Sequence, residues 1–216
     1  MRTLPLVVLL SLPGLAAAQS ADRTGVWEAG FKIMDMSHEF LSGERGASLD
    51  VEGELAYGGF GTYNFNEHFA LTGEFAWSDP DYFATFPLDR PGGGTVTVDS
   101  ELDVLFTNFK AVFNFMDRAV TPFVEAGYGW TVVDSNIQDG PADTGCWYDP
   151  WWGYMCASFY DTYESTLTSL MYGVGVRWDM SDFSVLKLSY GIRELDLDHA
   201  EDLEQDVMSV EFSWKF

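Results

Sequence analysis

The chain ends on Met208-Ser209-Val210-Glu211-Phe212-Ser213-Trp214-Lys215-Phe216, nine residues in which large apolar side chains alternate with small or charged ones. Successive side chains of an extended strand point to opposite faces, so this run makes a strand with one apolar and one polar face. A helix would scatter both sets around its circumference.

The same period of two recurs in seven earlier segments. Trp27, Ala29, Phe31 and Ile33 oppose Glu28, Gly30 and Lys32. A second, glycine-weakened run sets Val51, Leu55, Tyr57, Tyr63 and Phe65 against Glu52, Glu54, Ala56 and Thr62. Phe69, Leu71, Phe75 and Trp77 oppose Thr72, Glu74 and Ala76, and Leu105, Phe109, Ala111, Phe113 and Phe115 oppose Asn108, Lys110 and Asn114. Only the start of that fourth run, at 103–106, blurs the register. Val124, Ala126, Tyr128, Trp130 and Val132 lie opposite Glu125, Gly127, Gly129 and Thr131. The sixth run carries Arg177 on its polar face, and the seventh carries Lys187 and Arg193. Eight strands follow, and the abundance of Gly and aromatic residues suits strands and turns better than a helical bundle.

The connections alternate in length. Long ones cover 38–50, 78–100, 134–163 and 194–206, and short ones cover 64–68, 116–121 and 179–184. Four long and three short connections are what eight strands of a transmembrane barrel require, with short periplasmic turns at one rim and long extracellular loops at the other. The expected fold is therefore all-β, an eight-stranded antiparallel transmembrane β-barrel with both termini at the periplasmic rim.

A soluble barrel would show the same alternation with its apolar face inward. Residue types decide against it. One face repeats Phe, Trp, Tyr, Leu and Val, while the other repeats Gly, Ser, Thr and charges, which suits a narrow interior filled by side chains. Six bases (Lys32, Lys110, Arg177, Lys187, Arg193, Lys215) and six acids (Glu28, Glu52, Glu54, Glu74, Glu125, Glu211) fall on the polar face, a neutral set in a chain of formal charge −23. Enclosed charges need partners, so a balanced lumen network is expected. Trp27, Phe65, Phe69, Phe115, Trp178 and Phe216 gather near one rim and Trp77 and Trp130 near the other, as in aromatic belts.

The beginning of the chain supports export. Arg2 supplies a positive n-region, residues 4–15 an apolar stretch, and Ala16-Ala17-Ala18 a cleavage site, so residues 1–18 are expected to be a cleavable signal peptide and 19–216 the barrel domain. The apolar stretch is too short to span a bilayer as a helix. With 34 acids against 11 bases, nucleic-acid binding is excluded as a role.

Pattern and chain end together resemble the OmpA-type and OmpX-type family of small outer-membrane β-barrels. The resemblance implies a place in the bacterial outer membrane, amid its lipid and lipopolysaccharide. It also implies that Val210, Phe212, Trp214 and Phe216 form the terminal signal read by the barrel-assembly machinery. Members of that family include structural anchors, adhesins, narrow pores and a few lipid-modifying enzymes.

Function is then sought in the loops. Cys146 and Cys156 fit an oxidising compartment and are expected to close a disulfide that displays Trp147, Tyr148, Trp151, Trp152 and Tyr154. Those aromatics suit contact with an extracellular protein or glycan, or else pack among the loops themselves. Asp196, Asp198, Glu201 and Asp202 crowd the last long loop. Oxygen-rich loops suit Ca2+ or another divalent cation bridging to lipopolysaccharide, although the spacing matches no defined calcium loop and a solvated face explains it better. His38, Ser78 and Asp79 share residue types with a PagP-like lipid A acyltransferase, without its preceding helix or its order. The reading is a structural or surface-interaction barrel without enzyme activity or cofactor, with a small porin-like channel as the alternative.

Overall fold

The computed structural model describes residues 22–42, 46–87, 94–196 and 203–216, and within these the side chains of 143, 147, 149 and 157–160 are left aside. The expected signal peptide lies outside the described residues.

Eight strands close the barrel: β1 (Trp27–Met36), β4 (Leu55–Asn64), β5 (Phe69–Ser78), β8 (Asp103–Asn114), β9 (Val120–Asp149), β10 (Gly153–Asp179), β11 (Ser184–Asp196) and β12 (Leu203–Lys215). Their order around the wall is β1-β12-β11-β10-β9-β8-β5-β4, with antiparallel pairing throughout. Closure comes from the chain's last residues. Phe31 sits opposite Phe212 and Lys32 opposite Glu211, and Trp27 and Phe216 exchange both backbone hydrogen bonds, at 2.9 and 3.2 Å. β1, β4 and β5 are ten residues long, within the ~9–11 that cross a hydrocarbon core when tilted.

The two faces separate as the alternation predicts. Phe31, Phe75, Phe109, Val174 and Val210 stand outward and exposed, where lipid rather than water covers them. Thr62, Thr72, Asn108, Ser169 and Ser213 are buried inside. Where adjacent strands come closest the interior keeps glycine: a Cβ on Gly175 would lie 2.4 Å from the Leu188 carbonyl and 2.5 Å from the Phe123 ring. The belt at the short-turn rim is built from contacting rings, including Trp27–Tyr63 at 4.8 Å, Tyr63–Phe65 at 4.9 Å and Phe212–Trp214 at 5.0 Å. At the opposite rim the phenols of Tyr172 and Tyr190 donate to Glu194 and Asp206, the arrangement of amphipathic rings with one apolar and one polar end.

Three of the four expected long loops are themselves β-structure. β2 (Glu39–Ser42), β3 (Ser48–Val51), β6 (Asp81–Pro87) and β7 (Thr95–Glu101) form a second sheet in the order β2-β3-β6-β7. The run expected as one second strand is thus two, β3 and β4, belonging to different sheets. β9 and β10 continue well past the barrel, staying paired as far as Asp149 and Gly153 with two register shifts near residues 159–164. β8 leaves β9 at Asp134, so about 50 Å of hairpin extends beyond that point at the usual rise per residue. The outer sheet is fastened to the base of this hairpin. Tyr82 donates to the Ser135 carbonyl, and Asn136 donates to the Glu101 carbonyl and to Asp103.

Candidate functional site

The lumen holds a continuous ladder of ion pairs. It begins at the short-turn mouth with Arg23, just before β1, which is fully buried. Its guanidinium donates to Asp179 at 2.7 and 3.0 Å and to the carbonyls of Glu67, Met116 and Arg118, so one side chain ties together three short turns. Asp179 also accepts from Arg177 at 2.9 Å and pairs with Lys215 at 2.6 Å. Arg177 reaches Glu28 at 2.6 Å, and Lys187 bridges Glu28 to Glu211 at 3.7 and 3.5 Å. Lys110 stands at the centre, 2.9 Å from Glu74, 2.9 Å from Glu125 and 3.3 Å from Glu211, while Lys32 holds Glu74 at 2.7 Å. Neutral groups complete the set: Asn64 donates to Glu28 and Asn108 to Glu74.

Toward the outer rim the lumen turns apolar. Met34, Met36, Ala56, Ala76, Val104, Phe106 and Val207 pack into one cluster above the ladder. Phe106 falls in the blurred stretch, and its inward direction resolves that register: Leu105 faces lipid and Phe106 the lumen.

The lumen network expected from sequence is assembled with two corrections. Glu28, Lys32, Glu74, Lys110, Glu125, Arg177, Lys187, Arg193, Glu211 and Lys215 all point inward. Glu52 does not belong to it, because it precedes β4 and is exposed. Glu54 sits at the outer rim, half-buried, with no base facing it among the described residues. Burial and the nearby carboxylates of Asp79 and Asp81 push it above the ordinary range of a glutamic acid. Asp179 and Arg23 take their places. Asp179 follows Arg177 by two, so the polar-face period already pointed to it, whereas Arg23 lies before the first strand and gave no periodic signal. The enclosed set is five acids against seven bases, not a neutral one.

At the far end of the molecule, Cys146 and Cys156 are directly opposed in the β9–β10 register and joined by a disulfide, with 4.1 Å between Cα atoms. Tyr148 and Tyr154 form the next pair on the same face, two residues closer to the turn. Gly153 closes the turn at φ 82°, a left-handed conformation that suits glycine. Tyr148, Trp151, Trp152 and Tyr154 are 73, 83, 80 and 73% exposed, and the Trp147 side chain lies outside the described residues. Below them the hairpin base is braced by Asp134, which accepts from the Thr162 hydroxyl at 2.5 Å and the Asn136 N–H, and these bonds hold its carboxyl below the usual range.

Other candidates are not brought together. His38 pairs with Asp50 at 2.5 Å, Ser78 turns into the barrel, and Asp79 is exposed. Asp196 is exposed at the end of β11, and Asp198, Glu201 and Asp202 lie outside the described residues. The row Val210, Phe212, Trp214 and Phe216 lies along the closing edge, with Val210, Trp214 and Phe216 prominently exposed.

A family model described as an outer membrane protein beta-barrel domain matches residues 4–216. No curated protein matches the chain. Among solved structures, Neisserial surface protein A is similar at 12% identity and a TM-score of 0.51, covering 89% of this chain and 99% of its own. Outer membrane protein OprG of Pseudomonas aeruginosa follows at 11% identity and 0.50, covering 90% and 97%. The N-terminal β-barrel domain of OprF from the same organism gives 11% and 0.49, covering 89% and 98%.

Proposed function

Since the chain belongs to the outer membrane protein beta-barrel domain family, and so resides in the bacterial outer membrane, we propose that it works as a closed anchor whose contacts are made outside, by the β9–β10 hairpin. The filled lumen carries this reading. Lys110 touches three carboxylates at the barrel's centre, and an apolar cluster covers the ladder on the outer side. A lumen filled by side chains in this way suits an anchor better than a porin-like channel. The disulfide-stapled hairpin then offers rigid aromatic side chains to an extracellular protein or glycan. Acids along the outer region, Asp196 among them, bridge through divalent cations to lipopolysaccharide phosphates, and the closing row ending at Phe216 serves the assembly machinery. No enzymatic role is proposed, and lipid A from cells with and without the protein is expected to carry the same acyl pattern.

The test uses the full barrel in nanodiscs against glycan and host-protein arrays, oxidised and reduced, beside Trp151→Ala/Trp152→Ala. Binding by the oxidised protein that falls at least tenfold in the double variant is expected. Equal binding by all three forms would refute the hairpin as the contact surface. Planar bilayers containing the purified protein are expected to stay silent, and stable conductance steps would restore the channel.

A further inference from the structure

Arg193 is the enclosed base that, among the described residues, faces no carboxylate within ion-pair distance. It projects from β11 into the space above the ladder and is fully buried. Its Cζ stands 4.1 Å over the Phe106 ring, and its two terminal nitrogens point at sulfur, Met36 Sδ at 3.8 Å and Met34 Sδ at 3.9 Å. Its Nε has no partner. Thioethers are weak acceptors and the guanidinium does not give up its proton, so the buried charge feels the Glu74 carboxylate only from beyond contact distance and has no described carboxylate against it. The imbalance of the whole set, seven bases to five acids, has the same sign.

Beside it lies a cavity of about 20 Å3, lined by Lys32, Glu125, Met171, Ser189, Arg193 and Ser209, with room for one water-sized occupant. The Ser189 and Ser209 hydroxyls bond each other at 2.7 Å, and since one donates to the other, the second keeps its own proton to offer. Glu125 is already engaged by Lys110 at 2.9 Å. A water molecule would fill the space and leave the charge; a sulfate or phosphate is too large for it. We propose that one monatomic anion, of chloride size, occupies this cavity as the counter-ion of Arg193, held by the guanidinium, the Lys32 ammonium and the serine hydroxyl.

The full chain folded and crystallised from bromide tests this at the bromine absorption edge. One anomalous peak between Arg193 and the Ser189–Ser209 pair is expected, absent in Arg193→Gln grown the same way. An ordered water without anomalous signal in the wild type, or Arg193 turned onto Glu125, overturns the proposal. Thermal unfolding of protein folded in chloride or in gluconate, at equal ionic strength, gives a second reading. The midpoint is expected to rise with the logarithm of chloride concentration in the wild type and to lose most of that rise in Ser209→Ala, which keeps every charge. A midpoint indifferent to chloride, or a rise equal in both proteins, overturns it.

Discussion

The lumen and the outer β-structure use charge in opposite ways. Of the eight described bases, Arg23, Lys32, Lys110, Arg177, Lys187, Arg193 and Lys215 are enclosed by the barrel and Arg118 lies in a short turn. Among the described residues beyond the outer rim there is no Lys or Arg at all, only acids. Inside, each carboxylate has a cation within 4 Å, the condition on which enclosed charges are tolerated. Outside, water and salt screen the carboxylates, so they accumulate with neutral hydrogen-bond partners or with His38 rather than with described Lys or Arg. Among the described residues, negative charge is therefore concentrated in the outer half, and the scarce bases are spent on the interior.

Lys110→Met strikes the inside hardest. It leaves Glu74, Glu125 and Glu211 without their shared cation, and a buried pair broken from one side costs roughly 3–5 kcal/mol. A matching fall in the denaturant midpoint of the lipid-embedded barrel is expected. Trp152→Ala, at the hairpin tip, should leave that midpoint where it was. A Lys110 variant as stable as the wild type would break the contrast between the two regions.

Gly175→Val should come next. The added side chain meets the Leu188 carbonyl and the Phe123 ring inside the wall, an overpacking worth about 1–3 kcal/mol. Gly140, in the hairpin arm, has no atom within 4 Å of where a Cβ would stand, so its substitution gives a strain effect from its φ of 87° without a packing one. Comparing the two separates crowding in the wall from backbone preference in the arm.

Removing the staple sharpens the comparison from the other side. Cys146→Ser/Cys156→Ser releases a short ring, worth about 2–3 kcal/mol to the tip. That loss should appear as faster amide exchange near residues 145–157 while barrel unfolding is unchanged. Barrel destabilisation of the same size would mean that arm and barrel unfold as one unit.

The barrel was legible because a period of two writes both faces into the sequence, and the terminal Phe212, Trp214 and Phe216 mark its closing edge. The outer sheet was not. Residues 39–51 and 81–101 are short, polar runs whose pairing of β3 with β6 joins distant segments, and no local pattern encodes such a partner. The ladder was readable wherever a strand carried it, and Arg23 escaped because its position comes from three turn carbonyls rather than from strand alternation. Glu52 and Glu54 were misplaced for a related reason. Alternation was carried across a break at Gly53 that ends one sheet before the next begins.

The smallest expected effect lies at the boundary between the two regions, where two acids respond to pH with opposite sign. Glu54 is raised in the folded protein by burial and by Asp79 and Asp81, so its favourable contribution is full below the ordinary glutamate range and is lost as pH rises through the raised value. Asp134 is lowered by its bonds from Thr162 and Asn136, so its contribution is full above the ordinary aspartate range and is lost as pH falls through the lowered value. Glu54→Gln should therefore be slightly more stable than the wild type at pH 7 and indistinguishable at pH 4. Asp134→Asn should loosen the hairpin base at pH 7, by about 0.5 kcal/mol for an exposed hydrogen-bonded carboxylate, and converge with the wild type near pH 2. Amide exchange at residues 54–56 and 134–138 across that range reads both. Parallel rather than opposed pH dependences at the two sites would mean that the rim responds to the net charge of the outer half, not to the partners of each acid.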